Sequence, residues 1–387
     1  MNNFIVIVLD GVGIGELPDS EKYGDKGSDT LGNMAVKLGG LSLPNLQKFG
    51  LGNINPIEGV ELEDAPLASF GKLAEQSVGK DSTTGHWELG GVITRKEFPV
   101  YPNGFPKDVV DLFLAETGLK GILGNCVASG TQIIEELGDE HCKTGFPIVY
   151  TSADSVFQIA AHEEIIPIEK QYEICKIARE NVMVGVHEVG RIIARPFITK
   201  DGKFARTTNR KDFSIDPSSP TILNYLSELG IETYAIGKIN DLFNYSGIKH
   251  QLKTKSNNEG IEKIISTNKL VKNSFLFANL VDFDVYYGHR NDTEGYYKAL
   301  QDFDKRLPEI VDAMDETDHL ILTADHGNDP TDISTDHTRE YVPLLHFQKN
   351  VPGKNLGIRD TFADVAQTVA HFFKINNGLE GKSFLNE

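Results

Sequence analysis

Three apolar runs in this chain end in the same way, and that shared ending constrains the fold more than any other feature. FIVIVLD (4–10), SFLFANLVDFD (274–284) and HLILTADHGND (319–329) each pass from hydrophobic residues straight into acids. An apolar run without polar alternation marks a strand covered on both faces, as in the parallel sheet of an α/β protein. Ligands of such sheets bind beyond the carboxyl ends of the strands. Three strands that end in acids therefore predict one shared polar cleft.

Helical patterns separate these runs. Leu31, Met34, Ala35 and Leu38 keep the i, i+3, i+4, i+7 spacing behind the capping candidates Ser28 and Asp29. A second helix is expected from Pro220, with Leu223, Leu226 and Leu229 on one face and Gly230 as its stop. A third is expected over 361–373, where Thr361 and Asp364 have the order of a capping box. The middle of the chain differs. It is rich in Gly, Pro and charge (FPVYPNGFPKD, ARPFITKDGKF), and none of its strands ends in an acid–histidine cluster. At 387 residues the chain also exceeds what one core usually supports. The expected fold is α/β, a mainly parallel sheet flanked by helices. Its core is discontinuous, 1–97 with 217–387, and an α+β domain is inserted over 98–216.

The formal net charge of −18 argues against nucleic acid and anionic membranes, which require a basic footprint. A phosphorylated substrate stays open, because bound divalent cations reverse the field inside a single cleft. Cys126, Cys142 and Cys175 are far apart and lack C-x-x-C spacing, so they read as buried or inert thiols in a reducing compartment. The first apolar run is too short for a secretory signal, and no stretch approaches a membrane span. A cytoplasmic protein with no obligate protein partner is expected.

The chemistry sits at the strand ends. Asp10 heads DGVGIG, where an acid directly after the strand would repel a pyrophosphate, so metal ligation suits it better than a dinucleotide loop. Asp325 and His326 are neighbours that serve one ion only where the strand has broken into a loop, and Gly327 supplies that break. Asp282, Asp284 and His289 lie in NLVDFDVYYGHR, and Asp336 and His337 precede another apolar run. Any one histidine is more often structural, but three Asp/His clusters at strand edges together read as a metal centre. Mixed carboxylate and imidazole ligation suits Mn²⁺ or Zn²⁺, and the lack of thiolates argues against a closed structural zinc site.

Ser82, Thr83 and Thr84 lie between Gly79 and Gly85, ahead of a candidate helix. A hydroxyl there is either a helix cap or a nucleophile, and a nearby metal would supply the activation that serine lacks alone. Arg191, Arg195, Arg206 and Arg210 gather in the inserted region, and Lys238 follows the run TYAIG. Scattered basic residues usually coat a surface, yet the planar arginine fork also grips phosphate.

Taken together, VLDGVGIGELPD, GSDTLGNMA, GKDSTTGHWE, VYTSADSVFQIAAHEE, IARPF, NLVDFD with YGHR, TADHGNDP and TDHTREYVPLL resemble the alkaline phosphatase superfamily. Within it they are similar to the phosphopentomutase family over essentially the whole chain. The resemblance implies an alkaline-phosphatase-like core and two divalent metals, with manganese the expected ion. Asp284, His289 and His337 would hold one, and Asp10, Asp325, His326 and the nucleophile oxygen the other. The nucleophile of that family is the hydroxyl residue three before the Gly-His pair, which is Ser82 here in place of threonine. The inserted domain would be a cap, Arg191, Arg206 and Lys238 the grip on the distal substrate phosphate, and Asp154 a sugar contact. The implied reaction interconverts ribose 1-phosphate and ribose 5-phosphate, and their 2-deoxy forms, with a sugar bisphosphate as activator. A phosphatase with the same metals, a cofactor-independent phosphoglycerate mutase and a non-catalytic sugar-phosphate binder are the alternatives.

Overall fold

The computed structural model of this chain describes residues 2–152 and 155–385. The chain divides into two compact units, Met1–Lys96 with Pro217–Glu387, and Glu97–Asp216. Its strands, in chain order, begin with β1 (Phe4–Leu9) and β2 (Ala68–Leu73) in the first unit. The second unit holds β3 (Leu123–Val127), β4 (Ile148–Thr151), β5 (Val156–His162), β6 (Arg191–Lys200), β7 (Lys203–Arg206) and β8 (Lys211–Ser214). The first unit resumes with β9 (Glu232–Ile236), β10 (His250–Leu252), β11 (Ser274–Leu280), β12 (His319–Thr323), β13 (Val342–Phe347) and β14 (Asn355–Arg359).

In the first unit eight strands form one sheet in the order β10-β9-β11-β1-β12-β13-β2-β14. From β10 to β12 all neighbours are parallel. β13 then runs antiparallel to both β12 and β2, and β14 returns parallel to β2. Every residue of β1 and β11 is buried, which is why these runs show no polar alternation. Because β11, β1 and β12 are adjacent and parallel, their carboxyl ends meet at one edge. The Asp10 amide donates to the Leu280 carbonyl at 3.2 Å and ties two of those ends together.

The helices follow the apolar spacing, with corrections at their ends. Thr30–Leu38 buries Leu31, Met34 and Ala35, and the Asp29 carboxylate caps it by accepting from the Gly32 amide. The helix expected from Pro220 is shorter, Ile222–Glu228, opened by a Thr221–Asn224 capping box. Leu229 lies beyond its last turn and is 62% exposed, so it does not share the buried face of Leu223 and Leu226. The last helix is Ala363–Phe372, and the Thr361–Asp364 capping box does not form. Asp364 instead takes the Arg359 guanidinium at 2.7 Å, while the Thr361 hydroxyl accepts from the Ala363 amide.

The second unit holds a six-stranded mixed sheet in which β3-β4-β5-β6-β7 are neighbours and β8 also pairs with β6. One of its apolar clusters gathers Phe105, Phe113, Phe157 and Met183, and another gathers Ile133, Ile148, Tyr150 and Phe197. The three cysteines are free; Cys175 is buried, whereas Cys126 is exposed rather than buried. Among the described residues no helix is long and apolar enough to cross a membrane.

Candidate metal centre

The edge shared by β1, β11 and β12 gathers six of the eight acids and histidines singled out in the sequence: Asp10, Asp284, His289, Asp325, His326 and His337. Asp10 follows β1 directly, and Gly11 turns the chain away with φ +79°, a conformation that glycine adopts without strain. Asp325 and His326 follow β12 after its ladder has ended, so both side chains reach the same space. Asp284 and His289 sit in the irregular helical turns after β11, and His337 in the segment before β13.

Two groups of ligand atoms result: Asp10, Asp325 and His326 in one, and Asp284, His326 and His337 in the other. In the first, His326 Nε2 lies 3.4 Å from Asp10 Oδ1 and 3.3 Å from Asp325 Oδ2. All three residues are buried, and neither carboxylate oxygen has a hydrogen-bond partner. In the second, Asp284 faces His289 Nε2 at 3.2 Å and His337 Nε2 at 3.3 Å. The His326 and His337 rings stack with centroids 3.8 Å apart, joining the two groups.

The tautomers show what the cluster lacks. Each histidine has its Nδ1 on a backbone carbonyl: Thr335 for His289, Lys80 for His337 and Gly327 for His326. A carbonyl only accepts, so Nδ1 carries the proton and each neutral ring aims an Nε2 lone pair at carboxylates, which also only accept. Such a convergence of acceptors needs either extra protons or cations. Without cations, protons are retained. The hydrogen bond to Asp284 lifts His289 to about 9. Burial alone would depress His326, but Asp325, Asp10 and Asp284 carry it well above its ordinary value. Burial would likewise raise Asp284, yet His337, His289 and His326 hold it well below the usual carboxylate range. Cations placed among these atoms would satisfy the orphaned oxygens and the lone pairs together, so the donor set fits a two-metal site.

Ser82 is the hydroxyl brought to this centre, with Oγ 3.2 Å from His326 Nε2. It opens the helix Ser82–Leu89, whose cap is Asp81, accepting from the Thr83 and Thr84 amides at 2.9 and 3.2 Å. The Thr84 hydroxyl is spent on Asp81. Asp282 and Asp336 do not join the cluster: Asp282 accepts from the Asn257 amide at 2.7 Å, and Asp336 is exposed.

Lys238 follows β9 and is half-buried at the carboxyl edge of the same sheet. Arg191 begins β6 in the second unit, 3.8 Å from Asp212, and Arg206 ends β7 and is exposed. Asp154 lies outside the described residues. Three neighbours of the centre escaped the sequence reading. Asn328 donates to Asp284 Oδ1 at 2.6 Å, and Asn279 to Asp10 Oδ2 at 2.9 Å. His86 Nδ1 lies 3.0 Å from Asp325 Oδ2. A polar Asn inside the apolar run FANLV, and a His four residues after Ser82 on the same helix face, were the available signals.

A family model described as the metalloenzyme superfamily matches residues 2–377. The chain is 55% identical to a phosphopentomutase of Caldanaerobacter subterraneus subsp. tengcongensis, covering 100% of this chain and 98% of that protein. It is 56% identical to a phosphopentomutase of Dictyoglomus thermophilum, again over 100% and 98%. Among solved structures, the PH0037 protein of Pyrococcus horikoshii aligns over 98% of this chain and 99% of its own, with a TM-score of 0.51 at 14% identity.

Proposed function

We propose a reaction for a chain that belongs to the metalloenzyme superfamily and, within it, to the phosphopentomutase family of isomerases. The reaction interconverts ribose 1-phosphate and ribose 5-phosphate, and their 2-deoxy forms, through a phosphoryl group carried on Ser82. The observation that supports it is the position of Ser82 Oγ, 3.2 Å from the imidazole that stands in both ligand groups.

Asp284, His289 and His337 would hold one divalent ion, and Asp10, Asp325, His326 and Ser82 Oγ the other. Manganese suits this mixed nitrogen and oxygen set. Bound there, two such ions neutralise phosphoryl charge and lower the pKa of a hydroxyl.

The chain's own residues do the rest. Ser82 takes the phosphoryl group from a sugar bisphosphate activator and gives it to a pentose monophosphate, whose other phosphoryl group then returns to Ser82. Asp81 fixes the first helical turn by holding two of its amides, so the hydroxyl stays aimed at the centre. Arg191, Arg206 and Lys238 grip the distal phosphate, and Asp154 contacts the sugar. The inserted unit acts as the cap that keeps water from the phosphorylated serine, since hydrolysis would turn a mutase into a phosphatase. Incubation of the metal-loaded protein with ribose 1-phosphate and a trace of sugar bisphosphate tests the reading. Ribose 5-phosphate should accumulate; release of free phosphate in its place would make the protein a phosphatase.

A further inference from the structure

We propose that His86 and Asn279 are positioning residues that lock the turn carrying Ser82 to the metal-binding carboxylates. The inference rests on the reading of Ser82 as the phosphoryl carrier.

The network has one consistent order of protons. His86 Nδ1 lies 2.7 Å from the carbonyl of Ser82, which can only accept, so the Nδ1 proton points there. Asp325 Oδ2, although 3.0 Å from the same nitrogen, keeps no hydrogen bond of its own. His86 Nε2 must then accept, and it does so from Asn279 Nδ2 at 2.9 Å. The other proton of that amide goes to Asp10 Oδ2 at 2.9 Å. Both protons of one amide and both nitrogens of one imidazole are therefore used, in a path from Asp10 to the backbone of Ser82. His86 is 0% and Asn279 1% exposed, so water cannot replace a lost partner.

The other side of the turn is fixed by contact. A Cβ on Gly85 would fall 2.0 Å from the Asp325 carbonyl oxygen, so the helix lies with its bare backbone against the end of β12. Contact at Gly85 sets how close the helix comes, and the His86–Asn279 path sets how it is rotated. Neither residue reaches Ser82 Oγ, which makes their role one of aim. A misplacement of about 1 Å costs on the order of 100-fold in rate.

The test uses single-turnover phosphorylation of Ser82 by a sugar bisphosphate in the full-length, manganese-loaded protein. His86→Ala should slow phosphorylation by about 100-fold, with metal content and the KM for ribose 1-phosphate unchanged. His86→Asn should recover most of that loss, since its amide places a donor where Nδ1 stood. Should His86→Ala not fold, Asn279→Ala decides, with an expected loss of at least about tenfold at full metal content. Equal losses in His86→Ala and His86→Asn, an unchanged rate in Asn279→Ala, or a loss that tracks metal content would each overturn the assignment. If the wild-type protein carries no phosphate on Ser82, the proposed function fails first, and that result is separate.

Discussion

The Nε2 atoms of His289 and His337 face each other at 3.2 Å, while the Nδ1 atom of each is already committed to a backbone carbonyl. At most one proton fits between them, and Asp284 stands within 3.3 Å of both. A divalent cation relieves all three groups at once. Manganese at 100 times its Kd should therefore stabilise the fold by about 2.7 kcal/mol, read as a rise in Tm over a chelated sample. His289→Ala and Asp325→Ala should each weaken binding in titration calorimetry and remove most turnover. Full activity from metal-stripped protein would end the two-metal reading.

Ser82 should be where the phosphoryl group resides. Its Oγ faces His326, whereas the Thr84 hydroxyl is held by Asp81. Protein treated with a sugar bisphosphate and digested should show phosphate on the peptide at Ser82. Ser82→Ala should be inert, and Ser82→Thr should keep substantial activity because the added methyl leaves the hydroxyl in place. Phosphate on Thr83 or Thr84, with an active Ser82→Ala, would show that a different hydroxyl of the turn is the nucleophile.

The strand endings were legible because burial on both faces leaves an apolar run that stops where the chain meets the cleft. Asp10, Asp325 and His326 stand at such stops, and the structure brings them together. Asp282 and Asp336 look equivalent to Asp284 and His337 in sequence, yet one caps a helix and the other faces solvent. That distinction depends on which way a loop residue points, and loops carry no periodicity. His86 and Asn279 were hidden for another reason. The two lie 193 residues apart in the chain, and Asn279 reaches Asp10, 269 residues away, only because β1 pairs with β11. The capping box at Thr361 failed because Arg359 competes for Asp364, a contact that local pattern does not encode.

Arg206 provides a test of substrate grip. It is exposed at the end of β7 in the second unit. Arg206→Ala should weaken use of pentose phosphates by about 1.5–3 kcal/mol for a lost charged hydrogen bond. Reaction with a small activated phosphate ester, which has no distal phosphate, should change far less. Comparable kcat/KM losses on both substrates would remove Arg206 from the distal site.

Arg339 holds the loop that leads to Ser82. It is 3% exposed, meets Glu75 Oε2 at 2.6 Å, and donates to the carbonyls of Ser77 and Gly79 at 2.9 and 2.7 Å. Burial pushes the Glu75 carboxyl well up even with Arg339 opposing it, so Glu75 depends on its partner. Arg339→Met should cost about 3–5 kcal/mol in denaturant unfolding, because it leaves a buried acid unpaired. Adding Glu75→Gln should recover part of that loss. If the two changes simply add, the pair is not coupled as the geometry requires.

Acid should act on a second, metal-free pair. His319 Nδ1 and His346 Nε2 are 2.8 Å apart on β12 and β13, with Phe4, Phe372 and Phe384 around the rings. One nitrogen donates and the other accepts, an arrangement that tolerates no second proton between them. Burial lowers His319 to about 4 and His346 to about 3. In the unfolded chain both titrate near the ordinary value of about 6.5. The unfolded state therefore binds more protons between those limits. The stabilisation from the neutral pair is complete above about pH 6.5 and drains away as the pH falls toward 4 and then 3. Each extra proton bound by the unfolded chain contributes a slope of about 1.4 kcal/mol per pH unit. His346→Gln keeps a hydrogen-bonding group but cannot titrate, so it should remove roughly one proton's worth of slope between pH 6 and 4. Unfolding free energies measured by urea titration across that range, in wild type and variant, provide the comparison. Parallel curves would mean that this pair does not govern the acid response, and that the carboxylates around the metal centre do.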